Sequence, residues 1–171
     1  AEVESIYEPD SKSETPLRTS PSATSLLGDE SVDAVFICTP TRLNKALTIE
    51  ALEAGKHVFC EKPPAFTAKD VEEIRSVESA SGKCLMYGFN HRHHESIRHM
   101  KSLVEGRTYG DVLWMRGRYG KSVDPTFDGQ WRANPEMAGG GILLDQGIHM
   151  LDLFVHLSGG FDRVEAFVSN L

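Results

Sequence analysis

Cysteine is scarce in this chain of 171 residues: Cys38, Cys60 and Cys84 are the only three, and no C-x-x-C joins them. An odd count without paired spacing points away from a disulfide framework. Each cysteine sits in an apolar run that reads as a strand, which predicts buried free thiols in a reducing cytoplasm. No stretch approaches the roughly 18 uninterrupted apolar residues of a membrane span. The first ten residues, AEVESIYEPD, carry neither the basic region nor the apolar segment of a secretion signal. Runs rich in Lys and Arg are missing too, and the net charge is −7, so nucleic acid is a poor partner. These absences predict a cytoplasmic protein without membrane or nucleic-acid partners, long enough to bury a core.

What is present is an alternation. VESIY (residues 3–7) reads as a short strand, and residues 9–31 as a Ser/Thr/Pro-rich loop with one helical turn near Leu26. DAVFICTP (33–40) is a strand stopped by Pro40, of the kind buried on both faces of a parallel sheet. Leu43, Ala46, Leu47, Ala51 and Ala54 recur at helical spacing, with Gly55 placed to end that helix. KHVFC (56–60) is the next strand. Thr67 and Asp70 open a second helix, whose apolar face is Val71, Ile74 and Val77 and which ends at Gly82. KCLMYGF (83–89) is a further strand. Strand, helix, strand, helix, strand with short links predicts right-handed βαβ units and a parallel sheet.

Past residue 90 the pattern changes. A helix is expected over 95–106, with Ile97, Met100 and Val104 inward. A strand follows over 111–120, then a glycine-led helix over 139–160, then a strand from 161. This half reads as an α+β unit.

Ligands of open parallel sheets gather beyond the carboxyl ends of the strands. Thr39-Pro40, Glu61-Lys62 and Gly88-Phe89-Asn90 fall at three such ends. Lys62 precedes a proline, which restrains its backbone, and a fixed lysine stabilises negative charge on a reacting oxygen. On the glycine-led helix, Asp145, His149, Asp152 and His156 follow one stripe, and Asp145 and His149 share a face at i and i+4. A buried carboxylate beside an imidazole is costly unless paired or used. Asp152 and His156 are expected at a domain boundary or in solvent. The cluster His91, His93, His94 and His99 fits no common zinc spacing, so no metal is expected and a solvated loop is the default. RGRYGKS (116–122) is not a P-loop, because Met115 stands where that motif requires glycine. Its Arg116, Arg118 and Lys121 read as a solvated sheet face, or one turned to an anionic ligand.

DAVFICTP, ALEAGKHVFCEKP, GKCLMYGFNHR and WRANPEMAGGGILLDQGIHMLDL resemble, in this order, the Gfo/Idh/MocA oxidoreductases. EKP after a strand, paired with D-x-x-x-H after a glycine run, is specific. The resemblance implies a hydride-transferring enzyme using NAD or NADP on sugars, polyols or sugar nucleotides. It implies Lys62, Asp145 and His149 as catalytic residues. His149 would take the hydroxyl proton, Lys62 would stabilise the alkoxide and Asp145 would orient and tune the site. It further implies cofactor contacts at Thr39, Pro40, Glu61, Lys62, Asn90, Trp131 and Arg132, with Glu8 as the ribose-binding acid that favours NAD. Asn44 stands where the family often has histidine and is expected to contact the cofactor without titrating. A cis Lys62-Pro63 bond is expected.

The fold implied is α/β: part of a Rossmann-type doubly wound parallel sheet, then part of an α+β domain with a large open sheet. Residues 1–89 would form an incomplete dinucleotide-binding domain. Residues 90–171 would form an incomplete substrate and oligomerisation domain, through whose sheet the full-length protein forms homo-oligomers. G-x-G-x-x-G, which seats the pyrophosphate in such folds, does not occur in these residues, so the chain is expected to be a fragment that is inactive alone. The alternative is a member that has lost catalysis and serves as a binding or regulatory protein.

Overall fold

The computed structural model describes residues 2–9, 16–120, 122 and 125–167. β1 (Ser5–Ile6) and β2 (Arg18–Thr19) form a short parallel pair. α1 (Ala23–Leu27) follows, its first turn capped by the Ser22 hydroxyl on the Ser25 N–H. This is the helical turn expected near Leu26, whereas β2 lies in a stretch read as loop. β3 (Ala34–Ile37), α2 (Thr41–Glu53), β4 (His57–Cys60), α3 (Ala68–Ser81) and β5 (Leu85–Tyr87) then alternate as predicted. β3, β4 and β5 form a parallel sheet in that order. The Thr67 hydroxyl accepts from the Asp70 N–H at 3.1 Å to start α3, and Gly82 ends it with φ 66°, a conformation that suits glycine.

Both crossovers run the same way, so both helices cover the same face of the sheet. Ile37, Val58 and Cys60 meet Ala51 and Leu52 of α2 there, with Leu27 behind them. The opposite face is uncovered among the described residues. Phe36, Phe59 and Met86 stand in register across it, and Phe36 is 71% exposed. The expectation of burial on both faces is corrected: an apolar strand does not say which of its faces a helix will cover. The cysteines are corrected likewise. Cys60 is buried under α2, but Cys38 and Cys84 are exposed.

In the second half, a 3₁₀ turn (Asn90–His93) leads into α4 (Glu95–Glu105), which packs against α6 (Ile148–Ser158). Met100, expected inward on α4, is exposed. α5 (Pro135–Ala138) is a single turn, opened by the Asn134 side chain on the Glu136 N–H. The glycine-led helix does not keep α geometry throughout. A π turn (Leu143–Gly147) precedes α6. Residues 111–120 and 161–167, expected as strands, have no strand partner among the described residues. A strand requires a neighbour to share its backbone hydrogen bonds. The segment instead crosses α6 at Gly117, where a Cβ would overlap the side chains of Met150 and Phe154. Arg116 and Arg118 are exposed, and Lys121 lies outside the described residues.

Candidate active site

The turn after β4 presents Lys62. Its backbone is tied down from beneath by Asn44, which is fully buried in α2. The Asn44 amide donates to the Glu61 carbonyl at 3.2 Å and the Pro63 carbonyl at 2.9 Å, and its oxygen accepts from Thr39 Oγ1 at 3.1 Å. Lys62-Pro63 is cis. The Asn44 amide is thus consumed by the turn. It supports the turn from beneath. Glu61 lies half-buried over Gly88, where a Cβ would come within 3.1 Å of both carboxylate oxygens. The small residue at the end of β5 leaves room for that carboxylate.

From this turn the Lys62 ammonium reaches Asp145 in the π turn. Nζ donates to Oδ1 at 2.9 Å and to the Asp145 backbone carbonyl. Oδ2 accepts from the Gln146 amide at 2.9 Å and lies 3.6 Å from Arg132 Nε. The Arg132 guanidinium stacks on Trp131, 4.4 Å from the ring centre. Burial pushes the Asp145 carboxyl up, but the Lys62 and Gln146 hydrogen bonds and the Lys62 and Arg132 charges outweigh it. The net direction is down, and Asp145 stays ionised at neutral pH.

His149 opens α6 one turn later and is 5% exposed. Asp145 and His149 were expected to share a helix face, and the π turn breaks the α phase between them. The His149 ring is stacked on His91 at 4.1 Å with 20° between planes, and Phe89 meets its edge at 6.3 Å. Its buried Nδ1 has no hydrogen-bond partner among the described residues. Burial, then the charges of His91 and Lys62, lower its pKa to about 4, against weaker opposite pulls from Asp152 and Asp145. An imidazolium needs partners for two N–H groups, so the orphaned nitrogen also favours the neutral ring.

Asp152, expected at a boundary or in solvent, accepts a two-pronged guanidinium from Arg92, with Nε to Oδ2 at 2.8 Å. The structure therefore brings Lys62, Asp145, His149 and Arg132 together, with Thr39 and Glu61 at the neighbouring strand ends. Asn90 is exposed at the head of the 3₁₀ turn. Glu8 is exposed past β1, in a sheet with no strand in common with β3-β4-β5. Sequence reasoning missed His91 and Arg92, read as solvated loop. Their signal was their place directly after a strand end in a parallel sheet. Among the described residues no three His, Cys, Asp or Glu are grouped to hold a metal ion, and no helix is long and apolar enough to cross a membrane.

Comparison with known proteins agrees with this fold. Residues 97–171 match the GFO/IDH/MocA C-terminal domain. The chain is 33% identical over 147 residues to levoglucosan dehydrogenase of Pseudarthrobacter phenanthrenivorans, covering 85% of this chain and 38% of that protein. A crystal structure of myo-inositol 2-dehydrogenase from Lactobacillus plantarum superposes with TM-score 0.79 at 30% identity, covering 92% of this chain and 49% of the other. A structure of levoglucosan dehydrogenase in complex with NADH and levoglucosan gives 0.82 at 28% identity, covering 91% and 45%. The chain thus spans less than half the length of these relatives. Residues 1–89 match the oxidoreductase family with an NAD-binding Rossmann fold, and the chain belongs to that family, the Gfo/Idh/MocA oxidoreductases.

Proposed function

We propose that the protein carrying this chain is an NAD-dependent dehydrogenase that interconverts a hydroxyl and a keto carbon on a sugar or polyol. One observation carries the reading: an ammonium locked on a carboxylate beside a buried, neutral imidazole, at the carboxyl end of a parallel sheet. The names of the relatives, levoglucosan dehydrogenase and myo-inositol 2-dehydrogenase, support the substrate class.

The donor and acceptor set suits a nicotinamide nucleoside. Glu61 offers a carboxylate that accepts from ribose hydroxyls, seated over Gly88, and Thr39 adds a hydroxyl at the neighbouring strand end. When bound, the nicotinamide ring supplies the hydride acceptor or donor. The chain's own residues handle the proton and the charge. Neutral His149 accepts the hydroxyl proton at a ring nitrogen. As a weak base it takes that proton late, so negative charge develops on the substrate oxygen first. Lys62 is placed to stabilise that charge, with Asp145 aiming its ammonium. We assign residues 1–89 to cofactor binding and 90–171 to substrate binding and association of copies. The exposed Leu113 and Trp114 support an interface in that half. A sedimentation run on the whole protein tests it.

The experiment is to follow NADH formation by the whole protein across a panel of sugars, anhydrosugars and polyols, beside Lys62→Met and His149→Gln. Turnover that needs both residues supports the reading. NAD binding without turnover on any of these would overturn it in favour of a non-catalytic member of the family.

A further inference from the structure

His91 lies in a polar run, yet it is half-buried. It lies nearly parallel to His149 at 4.1 Å, and Tyr119 lies nearly parallel to both, at 5.9 Å from His91 and 6.4 Å from His149. His94 meets His91 edge-on at 5.5 Å. Three chain segments contribute to this set: the 3₁₀ turn after β5, the segment over α6, and α6 itself. We propose that His91 is a positioning residue of the site, its ring fixing the orientation of the His149 imidazole and opposing a positive charge on it. This rests on His149 being the proton acceptor of the reaction proposed above.

The geometry gives two separable effects. A flat ring laid on another at this distance leaves the buried imidazole one plane to occupy, and Phe89 closes the edge. Two stacked imidazoles also cannot both be charged cheaply. Burial, then His94 and Lys62, lower the His91 pKa against a pull from Asp152, and a charge on His91 opposes proton uptake by His149. The other charged groups facing His149 are Lys62, which acts in the same sense, and Asp145 and Asp152, which act against it. Asp152 is already engaged by Arg92.

The test compares wild type, His91→Phe and His91→Ala in the whole protein. The titration of the His149 Cε1–H is followed by NMR with labelled histidine and assigned from the spectrum of His149→Gln. Phenylalanine keeps a ring and removes the charge. Its His149 midpoint should rise by about half a unit or more. Alanine removes both. Its kcat should fall about tenfold with KM little changed, and His91→Phe should restore most of that loss. An unchanged His149 midpoint in His91→Phe, or equal kcat in the two variants, overturns the proposal. A melting curve shows whether His91→Ala folds, and if it does not, the His91→Phe titration alone decides. The titration needs no turnover. Inactivity of the wild type towards every polyol would therefore sink the proposed function while the stack is still measured.

Discussion

Lys62 has three ammonium hydrogens, and Asp145 engages two of them. No other described residue takes the third, which leaves it for a substrate oxygen. Lys62→Met should lower kcat by about 100-fold or more, with NAD affinity nearly unchanged, read by steady-state kinetics beside fluorescence titration of the cofactor. His149 makes a prediction in pH. In an unfolded chain it binds its proton near 6.5, and in the fold only near 4. Between those values the unfolded state takes up a proton that the fold refuses. Stability contributed by this group is therefore full above 6.5 and is lost as pH falls towards 4. Melting temperature measured against pH should decline over that window, and His149→Phe should flatten the decline. Lys62, Asp145 and His149 were read as a set from the family resemblance, and the fold brings the three together. The partner of His149 was not legible. Spacing along a helix pointed to Asp145, and only the three-dimensional path of the chain after β5 brings His91 over the ring.

Helix α2 shows how an element can follow its predicted course and still present an unexpected face. Leu43, part of the apolar spacing that predicted the helix, is 41% exposed, while Asn44 and Thr48 are wholly buried. Asn44 faces inward because the turn after β4 has carbonyls that require donors, and it supplies two. Asn44→Ala should cost about 1–3 kcal/mol, the price of stranding buried acceptors, visible as a lower denaturant midpoint. Gly88→Ala is gentler. The new methyl would press on the Glu61 carboxylate, the mobile end of a side chain, so KM for NAD should rise while the melting temperature barely moves. The π turn (Leu143–Gly147) was not legible, since its residues carry ordinary helical spacing. Deleting Gln146 should return the turn to α phase and rotate His149 by about 100° relative to Asp145, with loss of turnover. The strand pattern over 111–120 was legible as alternation, but alternation alone cannot supply the neighbour that makes a strand.

At the scale of the molecule, the βαβαβ order was plain from Gly55, Thr67 and Gly82, each of which ends or opens a helix where expected. The uncovered face bearing Phe36, Phe59 and Met86 was not, because a wholly apolar strand carries no record of which side is wet. Cofactor choice is also a matter of the whole protein. Glu8, past β1, should accept from a ribose 2′-hydroxyl and repel a 2′-phosphate. NAD should bind more tightly than NADP, and Glu8→Ala should narrow the gap. Comparing the two dissociation constants checks this, and tighter NADP in the wild type would refute it. The ion pairs Lys62–Asp145 and Arg92–Asp152 have a mechanical meaning. They grip the same length of chain seven residues apart, about 10 Å along the axis, with His149 between them. A rod pinned at two points can neither slide nor roll. Arg92→Met would pull one pin. Amide hydrogen exchange across residues 148–156 should then quicken while Lys62 keeps its hold on Asp145, and the imidazole should begin to swing about a single pivot.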